Sequence, residues 1–89
     1  ALSICGNPKD QNKFVHTIRA VGSVTRSLQK LKPGDEVGIR GPFGTSWPLG
    51  KKGCDVLLIG GGIGLAALHS ALIVLADNPG DYQKITLLY

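Results

Sequence analysis

Cys54-Asp-Val-Leu-Leu-Ile-Gly-Gly-Gly-Ile-Gly-Leu-Ala-Ala-Leu-His-Ser-Ala-Leu-Ile-Val-Leu-Ala76, then Asp77-Asn-Pro-Gly-Asp-Tyr-Gln83, then Lys84-Ile-Thr-Leu-Leu-Tyr89, is the stretch that decides the fold. Val56 to Ile59 is a short, continuously apolar run, the pattern of a parallel strand buried on both faces. It leads directly into Gly60, Gly61, Gly62 and Gly64. A run of helix formers follows and stops at Asp77, Asn78, Pro79 and Gly80, a cluster of breakers. Lys84 to Tyr89 reads as a second strand. Strand, glycine turn, helix and strand in this order make a βαβ unit.

A glycine turn of this kind lets the backbone approach a diphosphate, and the free N–H groups of the helix's first turn then face its oxygens. Gly62-Ile63-Gly64-Leu65-Ala66-Ala67 fits G-x-G-x-x-A, with Ala67 expected to allow close helix–strand packing. A side chain at Gly62 is expected to intrude on the diphosphate. The same motif in another nucleotide-binding protein, such as a methyltransferase, is the alternative. A further alternative is a membrane span, because Val56 to Ala76 carries no Asp, Glu, Lys or Arg. Four glycines near its start oppose that reading, so no direct membrane span is expected.

Working outward, the preceding chain has a different character. Ala1 to Cys5 reads as a strand, ended by Gly6-Asn7-Pro8 and a polar turn. Phe14 to Val21 reads as a second strand, either an edge strand or a barrel strand partly under a ligand. Ser23 is the expected N-cap of a short helix through Leu31, with Val24, Leu28 and Leu31 as its apolar stripe. The hydroxyls of Ser23 and Thr25, with Arg19 and Arg26, make this helix start either an anion site or a capped connector. Glu36 to Arg40 is a further expected strand, and Thr45 to Gly53 an irregular connection. The change of character places a domain boundary near Lys51 to Gly53. Because the chain opens and closes inside apolar, strand-like runs, it is expected to be a fragment of a longer protein.

The formal net charge of +4 is unevenly spread. Lys13, Arg19, Arg26, Lys30, Lys32, Arg40, Lys51 and Lys52 face only Asp35 and Glu36 over that stretch, an excess suited to a phosphate-bearing ligand or an acidic partner. Nucleic acid is not expected, since aromatics are few and not interleaved with the basic residues. Cys5 and Cys54 have no metal-ligand spacing, and neither do His16 and His69. With no signal-peptide pattern visible, the cysteines are expected to be structural thiols in a reduced, cytoplasmic compartment.

The order of these pieces resembles the ferredoxin–NADP reductase superfamily: a serine-bearing strand, a strand leading to Gly22-Ser23-Val24-Thr25, Leu28-x-x-Leu31-x-x-Gly34-Asp35, Gly41-Pro42-Phe43-Gly44, and a strand into Gly60-Gly61-Gly62-Ile63-Gly64. Within it, the chain is most similar to the electron-transfer subunits of dihydroorotate dehydrogenase, the gamma subunits of sulfhydrogenases and the B subunit of anaerobic sulfite reductase. The resemblance implies a two-domain parent protein. Residues 1–50 would be the C-terminal part of an antiparallel flavin-binding β-barrel. Residues 54–89 would be the first βαβ unit of an α/β doubly wound NAD(P)-binding domain.

The resemblance also implies the site. Ser3 stands at the hydroxyl position near the flavin's reactive ring nitrogen, and Leu2 replaces a stacking tyrosine. Thr17, Ile18 and Arg19 match a segment that approaches the ribityl chain and diphosphate of FAD. Gly22, Val24 and Thr25 match a Gly-x-Gly-Thr turn in which Val24 replaces the second glycine. Gly61, Gly62, Ile63 and Gly64 match the nicotinamide-nucleotide turn, with Ala67 replacing a proline. The implied function is an FAD-dependent NAD(P)H oxidoreductase subunit with no catalytic acid, base or nucleophile of its own, the fragment alone being inactive. A [2Fe–2S] cluster is implied only beyond this stretch. The implied partners are catalytic or iron–sulfur subunits of a larger redox complex, such as a hydrogenase or dihydroorotate dehydrogenase.

Overall fold

A computed structural model describes all residues from Ala1 to Tyr89. Helix α1 spans Ser23–Gln29, strand β1 Asp55–Ile59, helix α2 Gly64–Asp77 and strand β2 Lys84–Leu88, with a 3₁₀ turn at Pro79–Asp81 before β2. Strands β1 and β2 pair in parallel, in the register Asp55↔Lys84 through Ile59↔Leu88. The βαβ unit expected from the glycine-bearing stretch is therefore present, its strands shifted by one residue at most. The stretch Val56 to Ala76 divides into a strand and a helix of 14 residues, and no helix is long and apolar enough to cross a membrane. That overturns the membrane-span alternative.

Period-two alternation turns Val56 and Leu58 of β1 toward α2, and the helix answers with Leu68, Ala71 and Leu75 at i, i+3 and i+7. These residues and Leu58 form the core cluster, bordered by Leu49, Val56, Leu72 and Tyr82. Helix and strand meet closely at Gly60, where a Cβ would lie 2.9 Å from Leu68 Cδ1. Close packing was expected at Ala67, which is half-buried; Gly60 is a further point of close approach. The opposite face of the sheet is bare: Leu57 is 58% and Ile59 69% exposed.

Residues 1–53 contain α1 and no strand ladder. Ala1 to Cys5 and Phe14 to Val21, both expected as strands, are joined by one backbone bond, Cys5 N–H to Val15 C=O at 2.8 Å. Glu36 to Arg40 pairs with nothing, and Ile39 is 67% exposed. The physical reason is that a strand is completed by its neighbours, and a barrel only when every edge is paired. The radius of gyration, 15.2 Å, exceeds the ~12 Å of a compact chain of this length, as such an open arrangement requires.

Helix α1 differs from expectation at both ends. Its N-cap is Gly22 rather than Ser23, and it ends at Gln29 rather than Leu31, with Lys30 as C-cap. None of its residues is buried: of the stripe of Val24, Leu28 and Leu31, Leu28 is half-buried and the other two are exposed.

Leu75, 1% exposed, is the most enclosed side chain. Leu75→Ala is expected to destabilise the protein by about 2–5 kcal/mol in urea unfolding. Val24→Ala, at an exposed position, is expected to change stability by less than ~0.5 kcal/mol.

Candidate functional site

Two adjoining clefts lie where the N-terminal segments meet the start of α2. The smaller, about 500 Å³, is lined by Leu2, Ser3, Thr17, Ile18, Arg19 and Thr25 from one side and by Ile63, Gly64 and Ala67 from the other. The larger, about 1260 Å³, runs along α2 past Gly62, Ile63, Ala66, His69 and Ser70, and faces Cys5, Lys13, Thr17 and Arg19. Thr17, Arg19 and Ile63 border both. Most residues singled out from the sequence are thus brought together, although they are spread from Leu2 to Gly64. Gly22, Val24 and Gly61 line neither cleft, and neither does Arg26.

The turn before α1 is built by Thr25. Its Oγ1 accepts the N–H groups of Val21 and Gly22, both at 3.0 Å, and lies 3.2 Å from the Gly22 carbonyl, to which it donates. A hydroxyl has one proton, and here the turn uses it. Thr25 therefore shapes the loop. Val24, which replaces a glycine of the related motif, sits in helical backbone with its side chain exposed, so its Cβ causes no strain.

The glycine turn is framed at both ends. Gly60 N–H donates to Leu88 C=O at 3.0 Å, tying the end of β1 to β2. On the other side Gly64, Leu65 and Ala66 donate to the carbonyls three residues back, Gly61, Gly62 and Ile63, at 3.0, 3.4 and 3.0 Å. The N–H groups of the helix's first turn, expected to be free, are therefore occupied. The unpartnered amides are those of Gly61, Gly62 and Ile63, one step earlier. Gly62 holds φ +53°, a conformation that disfavours any side chain, whereas Gly61 and Gly64 have open space where a Cβ would stand.

The only ion pairs are Lys9–Asp77, Lys13–Asp10 and Lys52–Asp81, leaving Arg19 without a carboxylate. Its Nη2 is 3.9 Å from the Cβ position of Gly62. An unpaired guanidinium beside unpartnered backbone amides makes this corner favourable for an anion, because both carry positive charge toward the same space.

Sequence reasoning missed the residues that join the clefts' walls. His69 Nδ1 lies 2.5 Å from the Cys5 carbonyl. Since a carbonyl only accepts, the ring carries its proton on Nδ1. Trp47 Nε1–H donates to Ala67 C=O at 2.9 Å, and Tyr82 Oη–H to Leu49 C=O at 2.6 Å. Cys5 is the one buried residue of the first 53, with Sγ 3.2 Å from Thr17 Oγ1. The available signal was the polar pair His69–Ser70 interrupting an otherwise apolar helix.

Thr25→Val is expected to cost about 1 kcal/mol in thermal unfolding, the usual loss for a removed helix cap, and Thr25→Ser to restore most of it. Gly62→Ala is expected to cost about 1–2 kcal/mol from its left-handed backbone, while Gly61→Ala, measured in the same way, stays near the parent.

No family model matches the chain, and no solved structure matches it. Among curated proteins it is similar to the sulfhydrogenase 1 subunit gamma of Pyrococcus furiosus, 41% identical over 88 residues, which cover 98% of this chain and 30% of that protein. The sulfhydrogenase 2 subunit gamma of the same organism is 39% identical over 89 residues, 99% of this chain and 30% of that protein. A probable dihydroorotate dehydrogenase B (NAD(+)) electron transfer subunit of Methanocella arvoryzae is 54% identical over 52 residues, 58% of this chain and 19% of that protein. The chain spans about 30% of the length of the two sulfhydrogenase relatives. Matching nearly end to end at this identity, it belongs to the ferredoxin–NADP reductase-like family of sulfhydrogenase gamma subunits and dihydroorotate dehydrogenase B electron transfer subunits.

Proposed function

We propose that the two clefts are the facing cofactor sites of an electron-transfer flavoprotein subunit, the smaller for the flavin of FAD and the larger for NAD(P)H. In this reading residues 1–50 belong to a flavin-binding barrel, and residues 54–89 open a doubly wound NAD(P)-binding domain. The observation that carries it is the convergence of Arg19 with the Gly61–Gly64 turn across the shared rim. The printed names of the relatives, electron transfer subunits and sulfhydrogenase gamma subunits, support it.

The residues fit such ligands. The amides of Gly61, Gly62 and Ile63 are donors without acceptors, and Arg19 is a cation without a counter-ion, a set suited to a diphosphate. Ser3 lines the smaller cleft, and its hydroxyl makes no hydrogen bond within the chain, so it is free to address a ring nitrogen. Leu2 and Ile18 supply apolar wall, while Thr17 and Ile63 separate the clefts. Gly22, Val24 and Thr25 set the course of the backbone beside the smaller cleft. Bound cofactors would supply the chemistry itself, two-electron exchange between nicotinamide and flavin, with delivery onward through a [2Fe–2S] cluster held outside these residues. The recipient is a catalytic or iron–sulfur subunit of a larger complex, such as a hydrogenase or dihydroorotate dehydrogenase, in the cytoplasm.

The full-length protein is expected to be yellow, with the visible bands of oxidised flavin, and to be bleached anaerobically by NADH or NADPH. A colourless protein would overturn the flavin assignment, and bleaching by dithionite but by neither nucleotide would overturn the nicotinamide assignment alone. Gly61→Val keeps an ordinary backbone and meets no neighbour, so it probes ligand approach rather than folding. It is expected to raise the Kd for the nicotinamide nucleotide about tenfold, the loss of one charge-assisted hydrogen bond, with flavin content unchanged.

A further inference from the structure

We infer that His69 is a positioning residue, a strut that holds the helix bearing the nucleotide turn against the extended segment bearing Ser3. The inference rests on the functional reading above and names how its two sites are kept in register. Besides the packing of Leu49 on the core, four polar side-chain interactions join residues 1–50 to residues 54–89. Trp47 and the Leu49 carbonyl belong to the connection itself, so their bonds to Ala67 and Tyr82 fix the hinge and leave the far end of the first half free. Lys9–Asp77 spans 3.2 Å between side chains 72% and 41% exposed, a pair that solvent and salt largely screen. The bond between His69 Nδ1 and the Cys5 carbonyl is the one hydrogen bond between α2 and the Ala1–Cys5 segment.

Its placement is what gives it leverage. Cys5 is buried, and each of its polar groups is engaged: N–H by Val15, Sγ by Thr17 and C=O by His69. Ser3 stands two residues before Cys5 on the same extended segment, and its own carbonyl is held by His16 Nδ1 at 2.9 Å. His69 follows Gly64, the first residue of α2, by little more than one helical turn. The strut therefore connects two short arms, one ending at Ser3 and the other at the glycine turn. Transfer between bound cofactors needs reacting atoms about 3–3.5 Å apart, and a displacement of about 1 Å can cost a hundredfold in rate. A protein that carries its two sites on separately packed segments needs such a tie.

The test uses the full-length protein with its cofactors. In His69→Ala, flavin reduction by NAD(P)H in stopped-flow is expected to slow by about ten- to a hundredfold. The charge-transfer absorbance of the nicotinamide–flavin complex is expected to fall with it, while flavin content and reduction by dithionite stay at parent values. His69→Asn, whose amide N–H can occupy the place of Nδ1–H, is expected to recover most of the rate. Parent-like reduction in His69→Ala would overturn the strut, as would loss of flavin together with rate and no recovery in His69→Asn. Hydrogen exchange separates this from failure of the functional reading. His69→Ala is expected to raise exchange in both Ala1–Gly6 and Gly61–Ser70. Unchanged exchange there overturns the strut even in a protein that proves to bind no flavin.

Discussion

The contact of α2 with β1 is the constraint on which the rest depends. Leu68, Ala71 and Leu75 close over Leu58, and the absence of a side chain at Gly60 lets Leu68 come down onto the strand end. A Cβ there would turn the end of Leu68 away from the strand, while the helix backbone at Leu65 lies 3.7 Å off, at ordinary contact distance. The glycine-rich sequence thus contains two different requirements. Gly60 is small for packing, Gly62 is glycine for its left-handed backbone, and Gly61 and Gly64 leave room on the outside. A single motif description hides that division.

Everything upstream is attached to this unit rather than built around a core of its own. Apart from Cys5, the buried residues all lie in β1 and α2. The first half reaches them through the packing of Leu49 and through polar bonds to carbonyls: Trp47 to Ala67, Tyr82 to Leu49 and His69 to Cys5. Such bonds contribute about 1 kcal/mol each, far less than a buried leucine, but they are directional. They therefore set where the N-terminal segments stand over α2 more than how firmly they are held.

This division explains what could be read from the sequence. Strand Val56 to Ile59, the helix ending at Asp77 and the strand from Lys84 were legible because each announces itself by local periodicity and breakers. The segments Ala1 to Cys5, Phe14 to Val21 and Glu36 to Arg40 carry strand composition but form no ladder, because pairing is a property of neighbours and not of a segment. The convergence of Ser3, Arg19 and Ile63 on shared clefts was reachable only through resemblance, since no spacing rule links positions so far apart. The role of His69 was illegible for the same reason: its partner lies 64 positions away and is a backbone carbonyl, which any residue type would present.

The occupied amides of Gly64, Leu65 and Ala66 bear on what kind of binding surface the turn makes. A helix start with all its first N–H groups free is a general anion site, broad and solvated. Here the i−3 bonds consume those donors and leave Gly61, Gly62 and Ile63 between two fixed points, the Gly60–Leu88 bond and the first turn of α2. Donors held on both sides cannot reorient to find partners within the chain, and their cost is met by solvent until a ligand replaces it. Preorganised in this way, they would select by position as well as by charge in the proposed nucleotide site, favouring an anion whose oxygens match a short curved backbone. The guanidinium of Arg19 approaches the same curve from the opposite wall. An anion seated there would be gripped from both halves of the chain, so binding and alignment of the halves become one event.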